Sequence, residues 1–237
     1  MKKIQRMSAW LSALFFPPKC VGCGQLMPPS EGMKEIFCPL CRTAWTAGRL
    51  SEAEGIREGD HYILGTLSVA AYRPGMVNGV PEKLIYHIKH RDEGRVFAYA
   101  ASSLACPLQT FISAKGISEE KLVISYPPRR KAALRKDGFD QAERLAKALS
   151  KQTGWPSVRL LDRTGKGRRA QKSLGAADRA ANAADAYELS ELSESAAGKI
   201  VILVDDVYTT GATLRTCAEL LRRAGAEGVI LATVARR

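Results

Sequence analysis

Apolar positions along the chain follow two rhythms. Continuous apolar runs at Val201–Val204 and over Lys121–Ser125 read as strands buried on both faces, the pattern of a parallel sheet, and His61–Tyr72 also reads as strand. Apolar residues at helical spacing predict helices over Val80–His90 and Arg95–Ala105, over the stretch holding Phe139, Ala142, Leu145, Ala146 and Leu149, and over the stretch holding Leu214, Ala218 and Leu221. Helices interleaved with buried strands define an α/β class with a parallel sheet flanked by helices. Ile4, Met7, Leu11, Leu14 and Phe15 repeat the helical spacing near the N-terminus, predicting an amphipathic helix that docks on the body, with membrane-surface contact as the alternative. The basic start and apolar Met7–Phe16 resemble a signal peptide, but Pro17, Pro18 and cysteines follow where a small-residue cleavage site would stand.

Val96–Ala114 has no charged residue and approaches spanning length, yet Ser102, Ser103, Pro107, Gln109, Thr110 and Ser113 make it too polar for a membrane span. It reads as a buried helix ending near Pro107, and with no membrane span the expected compartment is the cytoplasm. A polar linker over Thr46–Asp60 separates an N-terminal module, residues 1–48, from an α/β domain, residues 60–237.

Charge changes the picture in one region. The 237 residues carry a formal net charge of +12 with 46% hydrophobic and 25% charged content, ordinary for a globular protein except in its positive excess. Pro127–Lys172 holds fourteen Lys or Arg against four acids, so most of the excess sits in about a fifth of the chain. That concentration suits a polyanionic partner; a phosphate-rich small substrate is the alternative.

Cys20-x-x-Cys23 and Cys38-x-x-Cys41 form two knuckles separated by fourteen residues, each able to present two thiolates to one cation. Gly22 and Gly24 let the first turn tightly, and Pro39 serves the second. The four cysteines are the expected ligands of a structural Zn²⁺, with disulfides as the alternative; a closed four-sulfur site leaves no position for substrate. Cys106 and Cys217 stand alone in apolar surroundings and read as ordinary buried thiols. His87 and His90 share a helix at i, i+3 without a third ligand at recognisable spacing.

The densest chemistry follows Lys199. At the C-terminal end of the Val201–Val204 strand stand Asp205 and Asp206, then Tyr208, Thr209, Thr210, Gly211, Ala212 and Thr213 lead into a helix. Open α/β sheets bind ligands at the carboxyl ends of their strands, and backbone N–H groups at a helix N-terminus hold phosphate. Two carboxylates beside an anion pocket make sense if a sugar lies between them and the phosphate, its vicinal hydroxyls donating to the acids.

The thirteen residues VILVDDVYTTGAT, Val201–Thr213, resemble the phosphoribosyl-pyrophosphate (PRPP) signature of type I phosphoribosyltransferases. The resemblance implies a type I phosphoribosyltransferase-like fold behind a small zinc ribbon. It makes Asp205 and Asp206 the candidate catalytic pair, holding the ribose 2′ and 3′ hydroxyls, and Tyr208–Thr213 the 5′-phosphate loop. A broader likeness, carried by FPPKCVGCG, CPLCR, LIYHIKHRDE, YPPRRKAALRKDGFDQAERLA and the positions Gln171, Leu174, Arg179 and Asn182, resembles the ComF family of competence-associated proteins. It implies that Tyr126 and Pro127 border the pyrophosphate, with Mg²⁺ accompanying PRPP. Where that family has P-V-P and R-G-F-N-Q, this chain has Ser125-Tyr126-Pro127 and Asp137-Gly138-Phe139-Asp140-Gln141, losing an arginine and gaining acids beside the pyrophosphate position. Lys89 matches a family lysine.

Basic Arg129–Lys136 reads as a mobile lid or as a solvated charge run. Asp162–Asp185 reads as a flexible cover. The expected function is a ComF-like competence protein with a PRPP site, handling single-stranded DNA during natural transformation, alongside a helicase partner, with Phe139, Tyr126 or Trp155 as stacking platforms. The alternatives are an active phosphoribosyltransferase on an unidentified acceptor and a PRPP-binding regulator without turnover.

Overall fold

The computed structural model describes residues 17–28, 35–59, 62–76, 79–164 and 186–237. The N-terminal amphipathic segment, the Gln171–Asn182 pattern and most of the expected cover at 162–185 lie outside these residues.

Five strands make the main sheet: β1 (Ile56–Glu58), β2 (Ile63–Ala71), β3 (Leu122–Ser125), β6 (Ile200–Tyr208) and β7 (Gly228–Arg236), in the order β1-β2-β7-β6-β3. Only β1 is antiparallel to its neighbour; β2, β7, β6 and β3 run parallel. A two-stranded antiparallel ribbon, β4 (Leu161–Arg163) with β5 (Tyr187–Leu189), lies apart. The helices are α1 (Pro39–Ala47), α2 (Glu52–Gly55), α3 (Val80–His90), α4 (Gly94–Ala114), α5 (Lys131–Asp137), α6 (Gln141–Thr153) and α7 (Ala212–Arg223).

The sheet divides the core by residue parity, as the period of two in a strand requires. Ile200, Ile202 and Val204 of β6 and Ile230, Ala232 and Val234 of β7 pack with α3, α4, α6 and the cysteine module. Val201 and Leu203, with Val229 and Leu231, pack instead against α7 and the β4–β5 ribbon. Both faces are covered, so the central strands are apolar throughout.

Two expectations change. The stretch 46–60 is not a plain linker: Ser51 and Glu54 form a capping box at the start of α2, and Ile56–Glu58 adds an edge strand to β2. Helix α4 runs through Pro107 to Ala114 rather than stopping near it. Its buried residues, Val96, Phe97, Ala100, Ala101, Leu104, Ala105, Leu108, Phe111 and Ile112, keep helical spacing on both sides of the proline, and that packing outweighs one lost backbone bond. Among the described residues α4 alone is long and apolar enough to cross a membrane, and half of its most apolar window is buried inside the protein.

The N-terminal module is fastened to this body. Phe37, Trp45 and Tyr99 of α4 form a three-ring cluster with centroids 5.3 to 6.1 Å apart, and Arg95 Nη2 donates to the Lys19 carbonyl at 2.7 Å.

Candidate functional site

The four cysteines converge. All their sulfurs lie within 4.8 Å of one another, and none is in a disulfide. Cys23 Sγ and Cys38 Sγ are 3.8 Å apart, the edge of a tetrahedron with metal–sulfur bonds of about 2.3 Å, whereas a disulfide needs about 2.0 Å. The knuckles are built locally. Gly24 N–H donates to the Cys20 carbonyl, with Gly24 in the left-handed region, and Cys38 occupies the N-cap of α1 with Pro39 in its first turn. Pro39 therefore starts a helix rather than forming a turn. A Cβ on Gly22 would sit 2.7 Å from Cys41 Sγ, so this position requires glycine. Burial pushes the Cys20 thiol up, but N–H groups of Cys38, Cys23 and Gly22 outweigh it and bring the thiol down to about 7. The donor set fits a tetrahedral thiophilic cation.

The second site lies where β6 outruns its neighbour. Pairing between β3 and β6 ends at Ser125–Leu203, while β6 continues through Tyr208 beside β7. Asp205 and Asp206 thus stand inside the strand, and Tyr208 is its last residue rather than part of the turn. Together with Thr209, Thr210, Gly211, Ala212, Thr213 and Leu214, and with Lys89 from α3, they line a cavity of about 220 Å³.

Consecutive strand residues face opposite sides, and the two carboxylates do so. Asp206 Oδ2 lies 3.6 Å from Lys89 Nζ and is buried without a hydrogen-bond partner among the described residues. Asp205 interacts electrostatically with Cys217 and Tyr187 across the sheet, and its Oδ1 accepts the Asp206 N–H at 2.8 Å. Burial, followed by the neighbouring Asp206 charge, pushes the Asp205 carboxyl well above the usual carboxylate range, against the pull of that N–H and of Lys89. The site thus crowds two carboxyl groups at the end of β6.

Gly211 is the N-cap of α7 at φ 74° and supplies no side-chain cap; the one side-chain contact to the first turn is a long one, Ala212 N–H donating to Thr210 Oγ1 at 3.4 Å. First-turn N–H groups left uncapped face an incoming anion with the positive end of the helix dipole. A Cβ on Gly211 would collide with the Tyr208 hydroxyl, so Tyr208 folds back over the turn and glycine is needed for both backbone and space. Thr209 and Thr210 are exposed and Thr213 is half-buried, their hydroxyls available as donors.

Tyr126 and Pro127 lie at the end of β3 on the same side of the sheet, but both are buried and neither lines this cavity. Burial pushes the Tyr126 hydroxyl up to about 12, with the Glu143 charge adding to it. The loop that follows is tied down. Arg129 N–H donates to Asp140 Oδ2 at 2.7 Å, its guanidinium pairs with Asp137 at 2.8 Å, and Asp140 Oδ1 accepts the N–H groups of Ala142 and Glu143 to cap α6. The acids that seemed misplaced beside a pyrophosphate therefore organise the loop itself. Basic 129–136 is mostly the short helix α5.

Phe139, Tyr126 and Trp155 are each at most 5% exposed, with Phe139 edge-on to Phe97 and Trp155 Nε1 donating to Glu119, so none is a stacking platform. Cys106 is exposed, against expectation, and Cys217 is buried. His87 Nδ1 pairs with Glu93 at 3.0 Å and His90 packs against Tyr86; among the described residues only the four cysteines cluster as a metal group.

Residues 132–237 match the family model of the phosphoribosyl transferase domain. This stretch, a little under half of the chain, is similar to that domain. It contains the Asp205–Thr213 cleft, while the cysteine module, Lys89, Tyr126 and Pro127 precede it. Competence protein F of Haemophilus influenzae is 34% identical over 99 residues, 42% of this chain, and the matched part spans 43% of that relative, in keeping with the ComF-family resemblance. Among solved structures, adenine phosphoribosyltransferase from Rhodothermus marinus is 16% identical with a TM-score of 0.39, covering 83% of this chain and 99% of that one. Hypoxanthine phosphoribosyltransferase from Staphylococcus aureus is 14% identical with a TM-score of 0.35, covering 65% and 71%. Lys89 is the site residue that spacing alone did not place, because it comes from a helix more than a hundred residues before the acids; its signal was the match to a ComF-family lysine.

Proposed function

We infer that the phosphoribosyl transferase domain binds PRPP in the Asp205–Thr213 cleft. Asp205 and Asp206 accept from the ribose hydroxyls, and Thr209–Thr213 with the first turn of α7 hold the 5′-phosphate. The observation that carries this is one cavity joining two crowded carboxylates, one with an orphaned buried oxygen, to the N-terminus of α7. Mg²⁺, arriving with the pyrophosphate, supplies charge screening for its departure, and the carboxylate-rich floor with its unsatisfied oxygen is compatible with that cation. The four cysteines hold a structural Zn²⁺ that keeps residues 17–28 and 35–48 docked on α4.

Thermal shift tests the reading. PRPP with Mg²⁺ and ribose 5-phosphate should each raise Tm, PRPP more, while free pyrophosphate raises it least. Equal shifts from pyrophosphate and PRPP would sink the assignment of the cleft to the sugar.

A second reading, handling of single-stranded DNA during natural transformation beside a helicase, draws on the likeness to Competence protein F and on the exposed Arg130, Lys131, Arg135 and Lys136. With the aromatics buried, contact would run through phosphates. Oligonucleotide anisotropy should therefore fall steeply with salt, and Arg135→Glu/Lys136→Glu should flatten that slope. Absence of binding at low salt rejects it.

A further inference from the structure

A groove that shares no lining residue with the Asp205–Thr213 cleft opens beside α4. It encloses about 190 Å³, and Leu50, Ile56 and Val69 line it together with Cys106, Pro107 and Thr110 of α4. Its charged members are Arg49 and Glu52, one of each sign, so its walls are mostly apolar and nearly neutral. The outer face of α4 continues this surface. Ala98, Ser102, Cys106, Gln109 and Ser113 are exposed at helical spacing, and no residue from Val96 to Ala114 is charged. A helix face left in water ordinarily carries charge, and a quarter of this chain is charged, so nineteen neutral positions in a row describe a face built to be covered.

The chain carries an apolar segment of matching length. Residues 1–16 place Ile4, Met7, Leu11, Leu14 and Phe15 at helical spacing and contain no acid. They join the described structure at Pro17, and two residues later Arg95 Nη2, at the start of α4, donates to the Lys19 carbonyl at 2.7 Å. The segment therefore starts from the N-terminal end of the uncovered face. At 1.5 Å per residue, a helix from Ile4 to Phe15 is about 18 Å long and the exposed stripe of α4 about 22 Å.

We propose that residues 1–16 dock as a helix antiparallel to α4, with Met7 and Ile4 filling the groove. The tether at Lys19 sets the register: Phe15 falls opposite Ala98, Leu11 opposite Ser102, Met7 opposite Cys106 and Ile4 opposite Gln109. Lys2, Lys3 and Arg6 then approach the C-terminal end of α4, where the helix dipole favours cations. A short tether gives this segment a high effective concentration at the face, which a separate molecule would have to exceed. Docking also ties the chain just before Cys20 to α4, a second clamp on the cysteine module beside the contacts of Phe37 and Trp45 with Tyr99.

The test reads the Cys106 thiol, which is exposed among the described residues and lies under the docked segment. The full zinc-loaded chain is treated with N-ethylmaleimide and each cysteine is followed by peptide mass spectrometry, with buried Cys217 as the internal reference. Cys106 of the wild type should react about tenfold or more slowly than in Met7→Asp/Leu11→Asp and in Ser102→Glu. Both variants leave the buried core residues as they are, and circular dichroism checks the fold. In Ser102→Glu the added carboxylate stands one turn from the thiol and by itself slows the reaction, so faster labelling there reports lost cover. A wild-type rate equal to that of either variant would overturn the proposal. Slow labelling in all three beside a dimer in sedimentation would give the face to a second copy, and fast labelling in all three beside binding to anionic vesicles would give the segment to a lipid surface.

Discussion

Two loops follow adjacent parallel strands, and they treat their polar groups in opposite ways. After β3, in Tyr126–Gln141, Arg129 meets Asp137 and Phe139, Asp140 takes three backbone N–H groups, and Tyr126 is buried. After β6, Asp206 Oδ2 has no hydrogen bond among the described residues, Asp205 is held against its charged form, and the N-cap of α7 is a glycine that offers no side chain. Among the described residues the first loop leaves only Gln141 Oε1, at its end, without a partner; the second leaves a carboxylate oxygen unpaired beside another crowded carboxyl. Buried polar groups satisfied internally add rigidity, whereas unsatisfied ones store a cost that a ligand can relieve.

Substitutions can break this contrast. The largest stability effect is expected in the loop after β3. Asp140→Ala removes the cap of α6 and the acceptor for Arg129 N–H, and should cost about 2–3 kcal/mol in chemical denaturation, while Asp140→Asn, which still caps, should cost much less. Equal losses would mean that charge rather than capping is what matters there.

Next is Gly211→Ala, which forces a side chain into the left-handed region at ~1–2 kcal/mol and pushes Tyr208 aside. PRPP affinity should fall by about tenfold or more, as the turn geometry at the phosphate is lost, while the cysteine module is untouched. Retained affinity in a folded variant would show that Tyr208 and the turn are not part of the phosphate site.

The smallest effect has a distinctive sign. Because Asp205 is raised in the folded protein, the native state holds its proton longer than the unfolded chain does. Its contribution to stability is therefore highest below the ordinary carboxylate range and declines as pH rises from that range through the raised folded value. Asp205→Asn removes the decline, so Tm should exceed wild type at neutral pH by a few degrees, the scale ~1 kcal/mol produces in a chain this size, and the gap should close on acidification. A variant less stable than wild type at pH 8 would contradict the burial argument.

Much of this was legible in the chain. The β6 run, the α3 boundaries and the cysteine spacing are local patterns, and each could be read without its distant partners. The rest depended on distant partners. Nothing near Asp137 or Asp140 says that they serve Arg129 and α6 rather than a ligand. Phe139, Tyr126 and Trp155 are aromatic residues whose burial is decided by distant partners such as Phe97 of α4 and Glu119. Pro107 is a helix breaker by local rule, overruled by apolar packing on both sides of it. Lys89 gained meaning only when α3 was set beside β6.

The central claim is that the incomplete loop after β6 is completed by a phosphorylated ribose. Isothermal titration calorimetry of PRPP with Mg²⁺ into the wild-type protein and into Asp205→Asn/Asp206→Asn tests it most directly. The account predicts saturable binding that is lost in a double variant still folded by circular dichroism; binding of equal strength in both, or none to the wild type, would contradict it.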